Sequence, residues 1–173
     1  MLQGLQPLNV LRLASSRPLT GGERGFLSRF FGGSLDLECI AIGLSLGPRC
    51  WSPWGNRISL TARHFAGGDP RREVLLGDAG AASNFAHEAL HVWQRQHGRW
   101  VTLQGIPLQA AYTLGFHDPY RHAESDDPVE MLRIFLAGNI EQQGRIFERY
   151  VHASLTGGDT AVYREVARHV IGA

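Results

Sequence analysis

Lysine is absent, so all 17 basic side chains are arginine, which fits a GC-rich coding sequence and assigns no function. Charge of one sign is also scarce in excess: 17 basic groups against 16 acidic ones leave a net charge of +1. No strong field therefore points to nucleic acid or to an anionic membrane surface as a partner. Cysteine occurs only twice, at Cys39 and Cys50, outside any C-x-x-C pair. That argues against a sulfur-ligated metal and gives a disulfide little support. No run of 18 apolar residues occurs, so no membrane span is expected. The N-terminal MLQGLQPLNVLRLASS lacks a basic leader region and is interrupted by Arg12, so it makes a poor signal peptide. The expected location is cytoplasmic, with signal-free export as the second option.

What is present suits a globular chain: 43% of residues are apolar and 19% charged, over 173 residues. This length holds one domain with a real core. The expected organisation is a single domain over 1–173, with 1–17 a loosely ordered N-terminal segment. Thr20 and Glu23 form a capping box, and Gly32-Gly33 supply a stop, which predicts a helix between them. SLDLECIAIGLSL predicts a buried strand over roughly 35–46. NRISLTARHF alternates and predicts a half-buried strand over 56–63. REVLL is a candidate third strand. Pro128 suits a first helical position, and the apolar spacing that follows predicts one long amphipathic helix over roughly 129–155, running through Gly138 and Gly144. Asp159 or Thr160 caps a last helix. The order predicts an α+β fold, with a small antiparallel or mixed sheet.

NFAHEALHVWQRQHG carries the chemistry. In a helix, His87 and His91 lie about 40° apart around the axis and one turn apart along it, so both imidazoles can reach one tetrahedral zinc. Glu88 is offset by about 100°, which lets it hold a water at the metal as general base without binding the metal itself. Chance placement of the histidines and glutamates of this chain yields about 0.02 matches to this spacing. Phe85, Ala86, Ala89, Leu90, Val92 and Trp93 fill one sector of the helix. His87, His91, Gln94 and Arg95 fill the other, so the histidines are not part of the apolar stripe. The competing reading is an ordinary solvated helix face.

A catalytic zinc usually takes three protein ligands and keeps one open position. His97 matches the metzincin spacing. However, Gln94 stands where that pattern has its turning glycine, and Met131 falls inside a helix rather than a Met-turn. If the helix continues to Gly98, His97 lies about 240° around from His91. Glu141 is the preferred third ligand, with Ala137, Gly138 and Gly144 as a small-residue face on which another helix can pack. Glu130, His117, His122 and Asp126 are the remaining candidates.

With these residues in view, LTGGERGFLSRFFGGSLDLECIAI, SPWGNRISL, FAHEALHVWQ and NIEQQGRIFERY, in that order, resemble a family of small bacterial zinc metallopeptidases. The family includes Vgr-related proteins and zinc-peptidase-like domains of toxin and type VI secretion systems. The resemblance covers residues 18–151 and implies a minimal zincin-like, gluzincin-like domain. By that resemblance His87, His91 and Glu141 would hold zinc, and Glu88 would be the general base. Two departures stand out. Thermolysin-like gluzincins carry Asp four residues after the ligand Glu, to orient the first His, and here that place is Arg145. A backbone carbonyl or Asp126 would have to substitute. Gly144 stands where such relatives often show Ala.

The expected activity is hydrolysis of a peptide or related amide bond, with zinc as cofactor. Tyr120 and His122, in the loop between the ligand helices, are candidate donors to the developing oxyanion. The strand over 56–63 is a candidate edge for an extended substrate. The expected partners are a peptide or protein substrate and a secretion-system or effector component, with neither nucleic acid nor membrane. The rival expectation is a non-catalytic zinc-binding module of a secretion or toxin system.

Overall fold

The computed structural model describes residues 16–45, 47–52, 55–99, 101, 108 and 118–173. Residues 1–15, most of the expected N-terminal segment, and the candidate ligand His117 lie outside the described residues. The fold is α+β: a three-stranded sheet and five α-helices among the described residues.

Strand β1 (Ser16–Pro18) leads into helix α1 (Gly21–Phe31), and β2 (Ala41–Leu44) and β3 (Arg57–Leu60) follow. The sheet order is β1-β2-β3, with β1 antiparallel and β3 parallel to β2. The expected strand over 35–46 is shorter than its apolar run, because Leu35 and Ile40 join the core from outside the ladder. REVLL is not a strand; Val74 makes an isolated bridge to Phe65. The outer edge of β3 is closed at Ser59, whose N–H and C=O both pair with Trp51 at 3.0 and 2.9 Å. The expected free edge over 56–63 is therefore occupied at its centre. Cys39 and Cys50 are both free thiols.

The start of α1 is fixed as its sequence implies. Thr20 accepts from the Glu23 N–H, and the Glu23 carboxylate accepts from the Thr20 N–H at 2.8 Å. The same carboxylate takes Arg17 on both oxygens at 2.7 Å and the Val74 N–H at 2.9 Å. One buried Glu thus ties β1, α1 and the 74 segment together.

Helix α2 (Ala79–Gln96) is capped by Asp78, whose side chain accepts from the Ala81 N–H. It lies between β3 and a later helix and is buried on nearly all sides from Ala81 to Gln94. This explains why its polar sector is not a solvated face: that sector meets another helix instead of water.

The expected helix over 129–155 is two helices, α3 (Pro128–Ala137) and α4 (Ile140–Thr156). Gly138 is extended (φ −69°, ψ 153°), and Asn139 caps α4 with Gln142 as its reciprocal partner. A cap in mid-pattern outweighs apolar periodicity because it satisfies the orphan N–H groups of a new helix start. Residue 159 helps begin the last segment: its carboxylate accepts from the Ala161 N–H at 2.8 Å before α5 (Arg164–Ile171). Helix α5 packs on α1 and α3.

Candidate metal centre

The centre forms where α2 crosses α4, the most extensive helix–helix packing among the described residues. Helix α2 presents His87 and His91 one turn apart, with ring centroids 4.9 Å apart. Helix α4 presents Glu141 from its first turn, placed there by the Asn139 cap, which accepts from the Glu141 and Gln142 N–H groups at 2.9 Å. Glu141 Oε2 lies 3.6 Å from His87 Nε2 and 3.7 Å from His91 Nε2. All three ligand atoms fall within 4.8 Å of one another.

These separations fit a metal. They are beyond a hydrogen bond, and they approach the edge of a tetrahedron with bonds of about 2.0–2.1 Å, roughly 3.4 Å. The outer ring nitrogens settle which atoms face the centre. His87 Nδ1–H donates to Glu148 Oε2 at 3.0 Å and His91 Nδ1–H donates to Gln94 Oε1 at 2.9 Å. In the neutral form that a metal would bind, the Nε2 lone pair of each ring is then left for the centre.

Glu88 is buried at 5% exposure, and its Oε2 has no hydrogen-bond partner. Burial raises its pKa above the usual carboxylate range, against the opposing pull of His91 and His87. Burial would depress His87, but Glu141 and Glu148 outweigh it and push that group up to about 10. Glu141 is moved the other way: burial opposes ionisation, and the two histidines overcome it and lower its pKa. The site therefore favours positive charge at its centre and holds one carboxylate oxygen without a protein partner beside it.

Gly144 is what lets the helices meet. A Cβ there would stand 2.6 Å from His87 Nε2 and 2.7 Å from its Cε1. The rest of the expected small-residue face does not take part. Ala137 is exposed on α3, and Gly138 abuts only its own helix end and Gln142.

The other candidates lie elsewhere. His97 is exposed at the C-cap of α2, with Nδ1 2.8 Å from the Trp93 carbonyl. Glu130 is exposed and pairs with Arg133 at 3.4 Å. Asp126 is exposed and does not orient His87; Glu148 does, from a position one turn beyond Arg145. The Tyr120 ring stands 6.5 Å from the His87 ring. His122 Nδ1–H donates to the Ala123 carbonyl at 2.7 Å. Its Nε2 is buried without a hydrogen-bond partner. Cys50 Sγ lies 3.6 Å from His64 Nδ1, but burial pushes the thiol up to about 11, so this pair carries no thiolate nucleophile at neutral pH.

No family model matches the chain. It is 32% identical over 142 residues, 79% of its length, to the type VI secretion system spike protein VgrG2b of Pseudomonas aeruginosa. The solved effector domain of P. aeruginosa VgrG2b covers 96% of this chain and 87% of its own, with a TM-score of 0.63 and 28% identity. The chain is homologous to the VgrG2b effector domain. It spans 13% of the length of the VgrG2b spike protein, so the likeness concerns that one domain and not the remainder of the spike.

Glu148 and Gln94 were not assigned from the sequence. Glu148 stands seven residues after Glu141, which is two turns along the same face of α4. That spacing is the signal that could have found it.

Proposed function

We propose that this chain is a secretion-associated effector domain whose zincin-like centre, His87, His91 and Glu141, binds zinc and hydrolyses a peptide or related amide bond. The secretion role is supported by homology to the effector domain of a type VI secretion system spike protein. The hydrolytic role is supported by one observation above all. Glu88 carries a buried, unpartnered carboxylate oxygen beside three converging metal-ligating groups. A carboxylate serving only structure would be paired there.

Zinc held at this place would supply Lewis acidity and an acidified water at neutral pH. Glu88 takes the proton of the attacking water and passes it to the leaving nitrogen. Tyr120 and His122, in the loop that ends in α3, are the candidate donors to the oxyanion. A second reading is a zinc-bound secretion module without turnover. It is supported by the likeness to the effector domain of a type VI secretion system spike protein.

The deciding experiment joins zinc content to turnover on a peptide library, before and after chelation. Cleavage that chelation abolishes and zinc restores is expected, and Glu88→Gln should keep one zinc while losing cleavage. One bound zinc with no turnover on any peptide selects the second reading. Loss of zinc from Glu88→Gln would remove its assignment as base. The secretion role predicts that the tagged chain leaves cells only when the spike apparatus is intact.

A further inference from the structure

The two histidines of the centre are held in unlike ways. His87 donates from Nδ1 to the Glu148 carboxylate at 3.0 Å, and Arg145 holds the other oxygen of that carboxylate at 2.7 Å. His91 donates from Nδ1 to a neutral amide, Gln94 Oε1, at 2.9 Å. We propose that Glu148, clamped by Arg145, and Gln94, locked by Gln143, are the positioning residues of the centre, one ionic and one neutral. This proposal rests on the zinc reading above.

The neutral branch is a chain of assignments with one solution. Gln143 Nε2 donates to the Phe135 carbonyl at 2.8 Å, so its Oε1 faces the other way, where it also accepts from Arg99 at 3.2 Å. Gln94 Nε2 must then face that oxygen, at 2.7 Å, and it lies 3.4 Å from the Ile140 carbonyl. Gln94 Oε1 is left for His91 Nδ1, and the His91 Nε2 lone pair is left for the metal. Both glutamines are 0% exposed, so water does not compete for these bonds. Two of the acceptors, Phe135 and Ile140, flank the α3–α4 break from which Glu141 projects. The network thus fixes His91 relative to the helix that carries Glu141.

The ionic branch explains Arg145. The His87 ring lies over Gly144, with Nε2 toward Glu141 and Nδ1 toward Glu148. The carboxylate that orients it comes from one turn later than four residues past the ligand, and the residue at the nearer place steadies it.

The test uses the whole chain, with Zn2+ affinity measured by chelator competition and the visible absorption spectrum of the Co2+-loaded form. The spectrum reports ligand geometry and does not respond to stability alone. Glu148→Ala and Gln94→Met should each weaken Zn2+ about 10- to 100-fold and change the Co2+ spectrum. Glu148→Gln should fall between Glu148→Ala and the unsubstituted chain. Arg145→Ala is more exposed and keeps the proposal testable if the buried variants do not fold; a loss of up to about tenfold is expected. Unchanged affinity and spectrum in the folded variants, with the unsubstituted chain binding one metal, overturn this proposal alone. No binding by the unsubstituted chain overturns the zinc reading and this proposal with it.

Discussion

At the scale of single residues, the site depends on which side chains reach one point. Glu141 reaches it and His97 does not, because His97 ends α2 with its ring turned to the Trp93 carbonyl. Glu141→Ala should abolish tight zinc binding, while His97→Ala should leave it near that of the unsubstituted chain, as read by isothermal titration. Tight binding by the first variant would refute the ligand set. Gly144 sets a second limit. An added methyl gains about 1 kcal/mol of helix propensity, but it meets the His87 ring at 2.6 Å, a ring held through Nδ1 by Glu148. Overpacking of this kind costs about 1–3 kcal/mol. Gly144→Ala should therefore be neutral to modestly destabilising in urea while zinc affinity falls at least about tenfold. Unchanged zinc affinity would show that the ring can move aside.

At the scale of elements, caps decided more than periodicity. The Thr20–Glu23 box, the Gly32 stop and the Pro128 start were legible because each is a local rule with a local cause. The α3–α4 break was hidden: Asn139 and Gln142 sit three apart like any capping pair, but an apolar stripe runs across them. Glu23 is the element-scale device with a pH signature. Burial opposes its ionisation, and Arg17 with the Thr20 and Val74 N–H groups outweighs this, so its pKa lies below 4.5 in the folded chain. A depressed carboxylate stabilises fully above its unfolded pKa, and that contribution is lost as pH falls through the folded value. Stability should therefore drop below about pH 4.5. Glu23→Gln should lose about 2–3 kcal/mol at neutral pH and show a shallower drop on acidification. Urea midpoints of the two proteins that fall in parallel from about pH 6 to pH 3 would remove Glu23 from the acid response.

At the scale of the whole molecule, the metal would link α2 to α4 across the core. Zinc at about 100 times its Kd adds roughly 2.7 kcal/mol to stability. In a chain of this size that raises Tm by about 5–10 °C. Chelation should remove the rise, and Glu141→Ala should lack it; a Tm indifferent to chelation counts against zinc as a structural link. The sequence alone determined the parts that act within a turn or two of a helix. These are the His87–Glu88–His91 spacing, the Thr20–Glu23 capping box, the α+β order and the absence of an apolar run long enough for a membrane helix. It also pointed to Glu141, through a carboxylate placed beside glycine. Tertiary structure decided what depends on two elements meeting. The packing of α2 between β3 and α4 buries both faces of the histidine helix, and its crossing with α4 lays the His87 ring over Gly144 and brings Glu148 and the Gln94–Gln143 pair to the outer nitrogens. Spacing along one helix is fixed by its covalent geometry, whereas a partner 49 or 61 residues away is chosen by packing, and no local pattern records that choice.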